Sequence, residues 1–170
     1  MAGSASVIDR NVDITPLTDA NFAPFGAVIR QIEDGVPFGP DDAKLVFGVG
    51  TPRFYIMRIP GKGLSFRQIT RHRQVTQCLA SVGGRPWYIA VAPPGDVDDP
   101  DAEPTLEDIR AFEIPGDVAI LLSIGTWHAG PFFTDEEISF FNLELADTNL
   151  VDHQSCRLDR RYGVRLRFAV

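Results

Sequence analysis

The feature that most constrains this chain is a succession of short runs rich in Val, Ile, Phe and Tyr, cut apart by Gly, Pro and Asp. "KLVFGVG", "FYIMRI", "LSFRQITRH", "TQCLASV", "WYIAVAP", "IRAFEI", "VAILLSI" and "ISFFNLEL" follow one another at fairly regular spacing. β-branched and aromatic residues suit a pleated, half-buried surface, so this rhythm predicts a barrel or sandwich rather than alternating βαβ units. Thirteen prolines and fifteen glycines in 170 residues point to many turns and few long helices. The expected fold is therefore mostly β, chiefly antiparallel, with a few short helical turns. One such turn is expected in "TPLTDANFAPFG", with Thr18 as N-cap and Phe22 and Phe25 as apolar anchors. Residues 1–12 are polar and expected to be flexible, leaving 13–170 as one domain. The tail alternates from Val164 to Phe168, which predicts an added strand or a contact with a second copy.

The formal charge is −7, with no basic stripe that would neutralise phosphates, so nucleic acid is not an expected partner. Cys78 and Cys156 are too few for a disulfide framework. Cys78, inside "CLASV", reads as a buried small hydrophobe. The start "MAGSASVIDRNVD" lacks a secretory pattern, and no apolar run approaches the roughly 20 residues of a membrane helix. The expectation is a cytoplasmic protein with no membrane partner.

Alternation gives each run two faces. Gln68, Thr70 and His72 share one face, with Ile69 and Arg71 on the other; Arg71 and Arg73 are expected to be solvated. Asn142 and Glu144 share a face opposite Phe141, Leu143 and Leu145. Tyr55, Met57 and Ile59 lie opposite Phe54, Ile56 and Arg58. Two readings follow for the polar stripes: an ordinary solvated sheet face, or stripes that converge inside a barrel around a small polar ligand.

The stretch Thr70 to Gly84, "TRHRQVTQCLASVGG", places Thr70, His72, Gln77 and Gly84 where the first cupin motif has His, His, Glu and Gly. "GDVAILLSIGTWH" resembles the second motif: Gly125 and His128 match, Ser123 stands in place of the usual proline, and Gly116-Asp117 comes one residue early. "ITPLTDANFAPFGAVI", "GGRPWYIAVAPPGD", "IRAFEIPGD" and "GTWHAGP" occur in the order seen in the ureidoglycolate lyase family, with fainter similarity through "SFFNLELADT". The resemblance covers most of the chain. It implies a cupin-type, jelly-roll-like β-barrel, a homodimer, and cleavage of ureidoglycolate into glyoxylate and urea in purine and allantoin breakdown. The chain departs from the family at Thr70, Arg73 and Val75, where typical members have Glu, Pro and Gly. It departs again at Ser123 and Ala129, where they commonly have His. Glu144 replaces the family's Asp and keeps the charge.

Ureidoglycolate carries a carboxylate, a hydroxyl and a ureido nitrogen on one carbon. Its cleavage needs a base for the hydroxyl proton, an acid for the departing nitrogen and a clamp for the carboxylate. The resemblance assigns acid/base work to His72 and His128, with Glu144 orienting a histidine or binding the ureido N–H groups. Gln77 hydrogen-bonds the ureido or carboxylate group. Thr70 and Trp127 join the substrate-binding set, and Arg58 is the candidate clamp, its direction left open by alternation. His153 is expected at the surface or in a dimer contact. No organic cofactor is expected. The same groups, His72, Gln77 and His128, are the ligands if a divalent metal binds loosely. Two alternatives stand beside the lyase reading: a different, metal-dependent cupin enzyme, and a cupin that binds a small carboxylate without turning it over.

Overall fold

The computed structural model describes residues 6–170. Its strands are β1 (Ile8–Thr15), β2 (Gly26–Ile29), β3 (Pro52–Pro60), β4 (Ser65–Phe66), β5 (Gln68–Arg71), β6 (Gln77–Ser81) and β7 (Trp87–Ala92). They continue with β8 (Arg110–Ile114), β9 (Ala119–Leu122), β10 (Trp127–Phe132), β11 (Glu137–Leu145), β12 (Gln154–Arg157) and β13 (Val164–Ala169). Three one-turn helices interrupt them: α1 (Asp19–Phe22), α2 (Thr148–Val151) and α3 (Leu158–Arg161). The strands form two curled sheets, an eight-stranded one in the order β12-β5-β10-β7-β8-β1-β13-β4 and a five-stranded one in the order β2-β9-β6-β11-β3. This is the mostly β, jelly-roll-like architecture expected.

α1 starts as anticipated: the Thr18 hydroxyl accepts from the Asn21 N–H at 3.0 Å, and Phe22 and Phe25 are buried. Pairing is antiparallel except at β1, which runs parallel to both β13 and β8. Residues 8–12, expected to be flexible, are thus strand, because the alternating tail of the chain returns to pair with them from Ile8↔Val164 onward. Residues 1–5 lie outside the described residues. "KLVFGVG" is not a strand. Val46 instead makes its strand-like bonds to a single residue, Thr76, accepting from its N–H and donating to its hydroxyl.

Alternation along β7 divides the hydrophobic core. Trp87, Ile89 and Val91 join Phe112, Ile120, Leu79 and Phe140 between the sheets. Ala90 and Ala92 face the other way, into a cluster closed by the C-terminal strands through Ile69, Trp127, Leu158, Leu166 and Phe168. The apolar filling occupies one part of the space between the sheets, and a cavity takes the rest.

Candidate functional site

The cavity, of about 430 Å³, lies between the two sheets. From the five-stranded sheet come Tyr55 and Met57 of β3, Gln77 and Leu79 of β6, and Asn142 and Glu144 of β11. The eight-stranded sheet contributes Thr70 of β5, His72 just after it, and His128 of β10. His128 pairs directly opposite Thr70 across the β5–β10 ladder. A backbone bond ties the two histidine segments together, the Gly125 N–H donating to the His72 carbonyl at 2.7 Å. Gly125 has φ +80, and a Cβ there would lie 2.4 Å from a Val97 methyl, so only glycine makes this turn without displacement.

The carboxylate of Glu144, 1% exposed, sets the polarity of the network around it. A carboxylate accepts only, so Tyr55 Oη donates to Glu144 Oε1 at 3.2 Å and must accept from Asn142 Nδ2 at 3.0 Å. Asn142 therefore turns Oδ1 toward Gln77, whose Nε2 donates to it at 3.0 Å and to Glu144 Oε2 at 3.1 Å. Asn149 Nδ2 adds a third donor to Glu144 at 3.3 Å. The amide orientation follows from the charge, and it leaves Gln77 Oε1 buried without a partner among the described residues. Three of the four or so lone-pair sites on Glu144 are taken. Acceptors dominate this wall of the cavity, with both Gln77 N–H bonds and the Tyr55 hydroxyl already spent on it.

The opposite wall carries two imidazoles in a fixed tautomer. His72 Nδ1 lies 2.6 Å from the Asp152 carbonyl, and His128 Nδ1 lies 3.2 Å from the Thr126 carbonyl. Carbonyls only accept, so both Nδ1 atoms hold hydrogen and both Nε2 atoms keep a lone pair. The rings are 5.1 Å apart. Burial first, and then the neighbouring His72, push His128 down to about 3. Burial also lowers His72, partly opposed by the Asp152 carbonyl and the Asp152 and Glu144 carboxylates. Both rings are neutral at pH 7 and act as acceptors toward the cavity.

The sequence reading placed His72, His128, Gln77, Glu144 and Thr70 together, and the structure brings all five to one cavity. Two others do not reach it. Arg58 lies on the outer face of β3, 3.5 Å from Glu137 and 75% exposed, as alternation away from Tyr55 and Met57 requires. Trp127, one residue before His128, turns to the opposite face and is buried in the C-terminal cluster, with the Arg71 guanidinium 4.8 Å from its ring. Arg71 is itself wholly buried rather than solvated, bonded to Gln154 and to the carbonyls of Pro94, Asp96 and Asp99. Arg73 is half-buried and donates to the Val97 carbonyl at 2.9 Å. Cys78 is half-buried rather than buried. His153, expected at the surface away from the site, lines the cavity with its ring 5.8 Å from that of His72. Tyr55, Asn149 and Lys62 also line it and escaped the sequence reading. Tyr55 could have been found from alternation, whereas Asn149 lies in the one-turn α2 and His153 and Lys62 in connections, segments too short or irregular to show a period.

The donor set does not fit a firmly held metal. Glu144 is committed to three protein donors, Gln77 turns its N–H₂ toward two of the site's oxygens, and the imidazoles of His72, His128 and His153 are not gathered tightly enough to close on one ion. Among the described residues no group of three or more His, Cys, Asp or Glu side chains is arranged to hold a metal ion. Nor is any described helix long and apolar enough to cross a membrane.

Comparison with known proteins agrees with the layout. The family model "Ureidoglycolate lyase" matches residues 51–165, which run from β3 to the start of β13 and include every cavity residue named above. A ureidoglycolate lyase of Azotobacter vinelandii is 28% identical over 164 residues, covering 85% of this chain and 92% of the relative. One from Burkholderia mallei is 31% identical over 144 residues, covering 78% and 80%. Another from Pseudomonas fluorescens is 28% identical over 172 residues, covering 89% and 95%. A structure of Bacillus subtilis oxalate decarboxylase aligns with 75% of this chain and 36% of that one, at 12% identity and a TM-score of 0.39, too loosely to carry an argument. With most of its length matched by the family model and by full-length relatives, the chain belongs to the ureidoglycolate lyase family.

Proposed function

We propose that this protein cleaves ureidoglycolate into glyoxylate and urea within the cavity, or acts there on a closely related small ureido or hydroxy acid. The observation that carries the reading is the pair of imidazoles locked as Nδ1–H tautomers across the cavity from the acceptor wall of Gln77 and Glu144. A ureido group offers N–H donors to that wall, where one lone-pair site on the Glu144 carboxylate lacks a partner. Such binding leaves the carbinol carbon against the two Nε2 lone pairs. His72, which keeps the Asp152 and Glu144 charges in its favour, is the stronger base for the hydroxyl proton. His128 accepts a second hydrogen bond and holds the substrate in place. As the O–H pair becomes the glyoxylate carbonyl, the C–N bond breaks toward urea.

Thr70 Oγ1, 2.9 Å from Ser155 Oγ, supplies a hydroxyl pair beside His128 that can donate to the substrate carboxylate. Lys62 and Arg67 are the cations of the cavity wall, and they favour an anionic ligand in the role first given to Arg58. We further infer a cytoplasmic setting, which suits two free thiols. The inferred partner is a second copy of the chain, seated on the exposed outer face where Phe54 and Phe141 stack 5.8 Å apart beside Ile56. Sedimentation would show a dimer that Phe54→Glu dissociates; a monomeric wild type would refute it.

The experiment for the reaction is incubation with racemic ureidoglycolate, with glyoxylate and urea measured together. The reading expects equimolar products above the spontaneous rate, with no more than half of the racemate consumed. No release above that rate, with or without added divalent metal, refutes it.

A further inference from the structure

The departing urea nitrogen must take up a proton, and the two buried imidazoles are neutral acceptors at the pH of the reaction. Tyr55 donates its hydrogen to Glu144, and burial together with that carboxylate makes the phenol hold its proton more tightly. Lys62 lies over the Phe132 ring, at 4.5 Å, four residues along β10 from His128.

We infer that His153 is the proton donor to the departing nitrogen, a catalytic group of the lyase reaction proposed above and dependent on that reading. His153 lines the same cavity, and its ring centre is 5.8 Å from that of His72. It is the most exposed of the three histidines, and neither of its ring nitrogens has a hydrogen-bond partner among the described residues. Water therefore reaches the His153 ring and can return a proton to it after each turnover, whereas His72 and His128 each spend Nδ1 on a backbone carbonyl.

The placement of His153 is built rather than incidental. Asp152, the preceding residue, accepts from the Arg73 and Gln74 N–H groups through its carboxylate at 2.7 and 2.8 Å. Its carbonyl accepts His72 Nδ1 at 2.6 Å. Three bonds thus fasten the backbone that carries His153 to the turn that carries His72. One buried aspartate sets the tautomer of the base and the position of the acid.

The step balances. His72 Nε2 takes the hydroxyl proton, the freed O–H pair forms the carbonyl of glyoxylate, and the C–N pair leaves on urea nitrogen, which takes the His153 proton. His72 then returns its proton to His153 directly or through solvent, so no proton is consumed overall.

The test compares His153→Ala and His153→Gln with wild type on ureidoglycolate. A general acid contributes roughly 10²–10⁴-fold, so kcat is expected to fall by about 10²-fold or more, with KM within about twofold and Tm unchanged. Imidazole added in solution should restore a share of the His153→Ala rate, because the position is open to water. An active wild type with variants within a few-fold in kcat refutes the assignment alone. A loss that appears in KM or Tm, or that imidazole does not rescue, also refutes it, since His153 would then supply shape rather than a proton. A wild type that releases no glyoxylate refutes the parent reading, and this assignment with it.

Discussion

Glu144→Gln replaces one oxygen by N–H₂ at the centre of the acceptor wall and leaves volume nearly unchanged. Wild-type Glu144 receives Tyr55 Oη, Gln77 Nε2 and Asn149 Nδ2 at 3.1–3.3 Å while 1% exposed. The new amide has a single oxygen, so at least one of the three donors must face an N–H₂ group. A hydrogen bond to a charged group is worth about 1.5–3 kcal/mol, and a buried donor left unpaired costs a comparable amount. We take about 2 kcal/mol as the expected loss. For a chain of this length each kcal/mol moves Tm by about 2–4 °C, so Tm should fall by about 4–8 °C. The variant also frees Gln77 to flip its amide toward the new residue, which removes the unpartnered Oε1. Activity should therefore fall by at least about 10²-fold, more than the stability change explains. Differential scanning calorimetry and steady-state glyoxylate release on the same sample decide it. A variant with wild-type Tm and kcat would mean that Glu144 does not organise the wall, and the network argument would be wrong.

Three further outcomes follow from other parts of the structure. Gly125→Ala should cost about 1–3 kcal/mol by urea denaturation, because φ +80 and a Cβ 2.4 Å from Val97 both oppose it; an unchanged midpoint would show that the turn is relaxed. Arg71→Met strips partners from the carbonyls of Pro94, Asp96 and Asp99, and should cost about 3 kcal/mol and speed amide exchange in residues 94–99; wild-type exchange there would contradict the clamp. On acidification, the unfolded chain protonates His128 near pH 6.5 while the folded chain resists until about 3. Stability contributed by the neutral ring is thus present above pH 6.5 and lost as pH falls through that window, by up to about 1.4 kcal/mol per pH unit. Wild type should therefore lose more stability than His128→Asn between pH 7 and 4.5; equal losses would contradict the assigned burial.

The legible part of this protein was local. Alternation separated Tyr55 and Met57 from Arg58 and Phe54; the same rule along β10 sets Trp127 opposite His128, against its assignment to the substrate-binding set. The family resemblance collected His72, Gln77, His128 and Glu144, which the cavity unites. What escaped was set by distant partners. β1 is polar and largely exposed, and becomes a strand only because the C-terminal run pairs with it. Arg71 sits on the face away from the site, as expected, but alternation does not say what covers that face; here the connection after β7 does, through the carbonyls of Pro94, Asp96 and Asp99. His153 follows a one-turn helix and owes its position to bonds that Asp152 makes across some eighty residues of chain. No pattern within its own segment marks it.

The most direct test of the account is glyoxylate release from ureidoglycolate by wild type, His72→Ala and His128→Ala, each confirmed folded by its thermal transition. The account predicts turnover above the spontaneous rate in wild type and a rate reduced to background when His72 is removed, with a large loss for His128→Ala. Turnover in His72→Ala equal to that of wild type would contradict it, as would a wild type no faster than the uncatalysed reaction.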